Sequence, residues 1–104
     1  MAFTGNENHD IDLSVAADWT ARYRGTIAAN DTIGEYFGKT ALQAILDQED
    51  CVGVRIYFSI DEEDEKHLII CGVKANEDDL YNGLLAENAL KSPPMSGASN
   101  SLNS

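Results

Sequence analysis

The stretch CVGVRIYFSI (51–60), DEEDEK (61–66), HLIICGV (67–73) sets two β-branched, apolar runs on either side of six charged residues. That is the signature of a β-hairpin with a polar turn. In the first run Val52, Val54, Ile56, Phe58 and Ile60 alternate with Gly53, Arg55, Tyr57 and Ser59, which predicts a strand over 52–60 with its apolar face buried. The second run, 68–73, does not alternate: Leu68, Ile69, Ile70 and Cys71 are all apolar, as in a strand covered on both faces. Closing the hairpin around 61–66 sets Cys71 opposite Arg55 or Ile56, four or five residues along from Cys51 and thus roughly 13 to 17 Å away. A disulfide requires Cα atoms within about 7 Å, so both cysteines read as reduced, structural thiols.

Upstream of the hairpin, Ala41, Leu42, Ala44, Ile45 and Leu46 predict a helix over 39–48, with Leu42, Ile45 and Leu46 on one stripe and 47–50 ending it. An earlier helix is expected from Val15, with Ser14 as its N-cap and Val15, Trp19 and Tyr23 at i, i+4 and i+8. Arg22 and Arg24 suit its last turn and Gly25 its end. Between the helices, Asn30-Asp31 reads as a turn and Thr32-x-x-Glu35 as a capping box opening a short helical turn. Residues 1–10 are polar and are expected to be mobile, with the first element after Asp10. Beyond the hairpin, Leu80, Tyr81, Leu84, Leu85, Ala86 and Leu90 read as a short amphipathic helix from Asp79 onward, and SPPMSGASNSLNS (92–104) has the composition of a flexible tail.

The expected fold is therefore α+β: a single domain over 1–91 with two helices packed on a β-hairpin, followed by a Ser/Pro/Asn-rich tail over 92–104. Two short helices cover one face of a two-stranded sheet but hardly both. The C-terminal helical segment and a second copy are the candidates for the other face. A homodimeric sheet would also remove the edge that a lone hairpin exposes, so a homodimer is expected.

Eighteen Asp and Glu against seven Lys and Arg leave a net charge of -11. Such a chain is repelled by phosphate backbones and anionic lipid, which argues against nucleic-acid and membrane partners and leaves a protein partner. No apolar run approaches the roughly 18 residues of a membrane helix. The start MAFTGNENHD has neither a basic nor an apolar leader segment, so a cytoplasmic location is expected.

No motif carries recognisable chemistry. Gly34-Glu35-Tyr36-Phe37-Gly38-Lys39-Thr40 ends like a phosphate-binding loop, but it is one residue short, no predicted strand precedes it, and Glu35 would repel phosphate. The acids Asp61 to Glu65 lack the spacing and the glycine of a calcium loop and read as a solvated turn, as do Asn76 to Asp79. His9 and His67 have no partner at metal-ligand spacing. No catalytic residue, metal ligand or cofactor is therefore assigned. Arg55 and Tyr57, projecting opposite the alternating apolar set, are the candidate binding residues, with Lys39 as a third; the plainer expectation for the cation is an ordinary ion pair with a neighbouring acid.

Phe37-Gly38-Lys39, Leu42, Ile45-Leu46, Gln48 and the run Cys51 to Phe58 resemble a family of small uncharacterised bacterial proteins with the pattern FFGK-x-x-L-x-x-IL-x-Q-x-x-C-VGIRIYYGL, then a charged turn and L-x-LVGV. The likeness spans about 14–80. That family has no assigned activity, so the resemblance implies kinship without a mechanism. Its members often have Gly where this chain has Asp64, and cysteines in a C-terminal tail that here has none. Helix followed by Val-Gly-Val-Arg-Ile is also similar to the opening of A-type iron-sulfur carrier proteins, whose closing Cys-Gly-Cys is missing here; cluster ligation needs several thiolates.

Two functions follow as expectations. The first is a small acidic, non-enzymatic interaction or regulatory module. The second is a ligand-binding or enzymatic domain with a pocket at a dimer interface near Arg55, Tyr57 and Lys39, and an iron-sulfur carrier lacking the usual cysteines is a distant third. A convergent polar pocket would favour the second, a flat exposed apolar patch the first.

Overall fold

The computed structural model describes residues 2–104 and contains, in chain order, α1 (Leu13–Arg24), β1 (Gly34–Tyr36), α2 (Lys39–Leu46), β2 (Cys51–Ile60), β3 (Lys66–Lys74), β4 (Leu85–Ala86) and β5 (Leu90–Ser92). Every strand pairing is antiparallel, and with two helices the fold is α+β. Contacts divide the chain into two units, Met1–Glu7 with Phe37–Ala89, and Asn8–Tyr36 with Leu90–Ser104.

In the first unit β2 and β3 form the hairpin. Ile60 pairs with Lys66, Ile56 with Ile70 and Arg55 with Cys71, the register expected of the cysteines. The turn closes through Asp61 N–H to the Glu65 carbonyl (2.9 Å) and Asp64 N–H to the Asp61 carbonyl (3.1 Å). Asp64 takes a left-handed conformation (φ 62°), which Asp tolerates better than most residues and Gly adopts freely.

The segment expected to be a third helix instead holds a bridge at Asp79, a turn and the two-residue β4, the third strand of this sheet in order β2-β3-β4. After β3 the chain reverses: Lys74 N–H reaches the Asp78 carbonyl (2.9 Å), Leu80 N–H the Gly72 carbonyl (2.8 Å), and β4 pairs Leu85 with Cys71 and Ala86 with Ile70. The physical reason lies in β3. A central, buried strand needs hydrogen-bond partners along both edges, and residues 78–86 supply the second set. That requirement outweighs the helical spacing of Leu80, Leu84 and Leu85.

Gln48 ties this returning segment to the end of α2. Its Nε2 donates to the Ile45 carbonyl (2.9 Å) and its Oε1 accepts from Leu84 N–H (2.8 Å). Gly72 makes room for the arrangement. A Cβ there would lie 2.9 Å from Cys51 Sγ and from Gln48 Nε2. α2 packs on β2, β3 and β4, and Ile45 joins Ile70, Cys71 and Val73 as the buried apolar residues of the described chain. The N-terminal residues also belong here: Phe3 N–H donates to the Ala75 carbonyl (2.8 Å), and Gly5 (φ 83°) lets the backbone run so close to Val52 that a Cβ would sit 2.7 Å from its carbonyl oxygen.

The burial expected of the alternating face of β2 is not found from Val54 onward. Ile56 is 48 %, Ile60 66 % and Phe58 91 % exposed, while Arg55 on the opposite face is half-buried. β2 has a neighbour on one side only, and α2, eight residues rising about 12 Å, is much shorter than the ten-residue strand at about 33 Å, so the distal half of its apolar face is left bare.

In the second unit α1 starts at Leu13 with Asp12, not Ser14, at its N-cap, and Gly25 closes it in a right-handed conformation (φ -71°). The stripe Val15, Trp19, Tyr23 exists but is not buried; Trp19 is 59 % exposed. The two strands of this unit, β1 and β5, are three residues each and offer too little surface to cover a twelve-residue helix. The turn at Asn30 (φ 77°) is present, but the capping-box residues lead into β1 rather than a helical turn, with Glu35 paired to Lys91. The compositional boundary between 91 and 92 falls within β5, and Arg24 donates to the carbonyls of Leu102 (2.5 Å) and Ser104 (3.0 Å).

Candidate functional site

Arg55 and Tyr57 stand two residues apart on β2 and so share one face of the hairpin. Asp79 reaches that face because it bridges Val73 as the chain returns along β3. Its carboxylate accepts from both: Arg55 Nη1 donates to Oδ1 and the Tyr57 hydroxyl to Oδ2. Arg55 Nη1 also donates to the Glu77 carbonyl (3.2 Å), and the Phe3 ring lies 5.8 Å from the guanidinium carbon, within cation-π range.

The electrostatics are self-consistent. The hydrogen bond from Tyr57, then that from Arg55, holds the Asp79 carboxyl below its ordinary range. The same bonds to Asp79 push the Tyr57 hydroxyl and the Arg55 guanidinium up. Burial, followed by the nearby Asp79 charge, raises the Cys71 thiol, which makes it a poor nucleophile. Within the cluster Arg55 Nη1 and the Tyr57 hydroxyl are thus turned onto an acid of the same unit. Lys39 is exposed at the first position of α2 and joins none of these contacts. Of the three candidate binding residues, then, the fold brings together Arg55 and Tyr57 but not Lys39.

Asp79 and Phe3 had no signal in the sequence. Asp79 lies 24 residues from Arg55 in an acidic run that reads as solvated, and Phe3 lies in a polar leader. His67 likewise gains partners that spacing did not show. Its Nε2 is 2.7 Å from Asp61 Oδ2 and its Nδ1 3.5 Å from Glu87 Oε2. Asp61 is therefore more than a solvated charge. It also accepts from the amides of Glu63 (2.8 Å) and Glu65 (3.0 Å), and the His67 contact, followed by the Glu65 amide, holds its carboxyl low. Among the described residues no three His, Cys, Asp or Glu side chains gather as a metal-binding group.

The opposite face of the hairpin carries the exposed residues Val54, Ile56, Phe58 and Ile60 in line along β2. No known protein family, curated protein or solved structure matches this chain. The functional reading therefore rests on its own geometry, which contrasts a polar cluster bonded to Asp79 with an open apolar strip. Among the described residues no helix is long and apolar enough to cross a membrane, so the strip is not part of a spanning helix.

Proposed function

We propose that this chain is an acidic, non-enzymatic protein-interaction module whose contact surface is the apolar strip of β2. The exposure of Phe58, 91 % on a strand whose neighbouring apolar residues are also open, carries the reading. A large apolar ring held in water on a rigid strand is unfavourable by about 1.5–3 kcal/mol relative to burial, and a partner that covers it recovers that free energy. The pocket reading is less favoured because Arg55 Nη1 and the Tyr57 hydroxyl already bond Asp79. The carrier reading has only Cys51 and the buried Cys71 to offer.

Kinship with the small bacterial family stays part of the proposal. Its motif residues coincide with the start of α2 at Lys39 and of β2 at Cys51, and its frequent glycine corresponds to Asp64, whose backbone is left-handed. A homodimer formed through the β2 edges is the competing occupant of the strip. Light scattering at micromolar concentration separates it by mass. The module itself is tested by capture from native extract with the purified chain, Phe58→Ser and Lys39→Ala. A partner retained by the parent and Lys39→Ala but lost by Phe58→Ser supports the reading, and an identical set of proteins on all three overturns it.

A further inference from the structure

We infer that the free edge of β2 takes an extended segment of a basic protein partner, added to the sheet as a strand and carrying Lys or Arg at both ends. This rests on the reading of β2 as the contact surface and names what meets it.

The exposure gradient locates the docking line. Ile56 is 48 % exposed while Ile70, its partner across the ladder, is 3 % exposed. What is uncovered is thus the outer flank of the sheet rather than its whole face, and a strand laid beside β2 covers a flank. The backbone is available as well. From Val54 to Ile60 no described residue pairs with β2 on its outer side. Natural sheets protect such an edge with Lys, Pro, a bulge or a covering loop, yet 54–60 holds no Lys or Pro, and the irregularity in the ladder lies between Cys51 and Gly53. Arg55, the one cation of the strand, is committed to Asp79 on the other face.

Charge then selects the partner. Asp47, Glu49 and Asp50 precede the strand, and Asp61 to Glu65 follow it. Asp61 is engaged by His67, but no described cation meets Glu62, Glu63 or Asp64. Antiparallel pairing with the β2 of a second copy would set the acids before one strand against those after the other. A segment with apolar side chains at alternate positions and basic ends meets both the strip and the acids, which is strand addition with charge complementarity.

The test uses the full chain, isotope-labelled, and three peptides: alternating Val and Thr between paired lysines, the same core between paired glutamates, and the lysine version N-methylated at alternate residues. The lysine peptide is expected to shift the amides of Val54 to Ile60, slow their hydrogen exchange and bind at least about tenfold tighter than its glutamate twin, more weakly as salt is added. The N-methylated peptide, unable to pair, is expected not to bind. Equal binding of the lysine and glutamate peptides overturns the charge assignment, and undiminished binding of the N-methylated one overturns strand addition. If the lysine peptide fails while the chain runs at twice its mass with Val54 to Ile60 protected, a second copy holds the edge: the inference falls and β2 remains the contact surface. If it fails with a single-chain mass and Phe58→Ser loses nothing from extract, both readings fall.

Discussion

β2 and β3 lie side by side, bonded residue to residue, and their apolar side chains meet opposite fates. Ile70, Cys71 and Val73 are buried, while Ile56, Phe58 and Ile60 face solvent. Hydrophobicity does not separate them. Position does: β3 has a strand on each side, whereas β2 has one neighbour and an open flank. An alternating pattern therefore reports which residues share a face, and the neighbours decide whether that face is dry.

The largest test of this contrast substitutes across the ladder. Ile70→Ala is expected to destabilise the chain by about 2–4 kcal/mol, and Ile56→Ala, its partner in register, by less than about 1 kcal/mol, read from urea unfolding. Equal losses would mean that β2 is covered in solution. Next in size is Gly72→Ala against Val54→Ala, also partners in register. The added methyl collides with Cys51, Gln48 and Leu80 and is expected to cost about 1–3 kcal/mol, whereas trimming Val54 should be nearly silent.

The polar face gives a pH test. Asp79 is held low, so its contribution is fully present above the ordinary carboxylate range and is lost as pH falls through its depressed value. Tyr57 is held high, so its contribution is present below the ordinary tyrosine range and disappears as pH climbs through the raised value. Asp79→Asn should flatten the acid limb of a stability profile and bring the tyrosinate absorbance transition of Tyr57 down in pH. An unchanged profile would mean that the cluster does not hold the 74–80 segment to the sheet. The smallest expected effect is that of Phe58→Ser, within about 0.5 kcal/mol for a side chain already in water, with its consequence confined to partner capture.

Much of the first unit was legible from residue order. The hairpin, its turn, the placing of Cys71 opposite Arg55 or Ile56 and the start of α2 at Lys39 all follow from local pattern, because a polar turn sets the register to within a residue and strong helix formers set the helix; the structure decides for Arg55. Arg55 and Tyr57 were visible as one face. Their commitment to Asp79 was not, since that contact crosses a bridge formed only when the chain returns along β3. The expected helix from Asp79 failed for the same reason: helical spacing in 80–85 is a local signal, and an unpaired strand edge is a tertiary demand. Trp19 and Tyr23 show the converse, a periodic stripe correctly placed on α1 with no surface in its own unit large enough to bury it.

Residue order alone thus settled periodicity, charge and the register to within one residue, which depend on neighbours within a few positions or directly across a turn. Burial belonged to the assembled sheet. Which face of CVGVRIYFSI is wet and which acid quenches its arginine depend on segments more than twenty residues away, and those meet β2 only after the backbone of β3 has found its second partner.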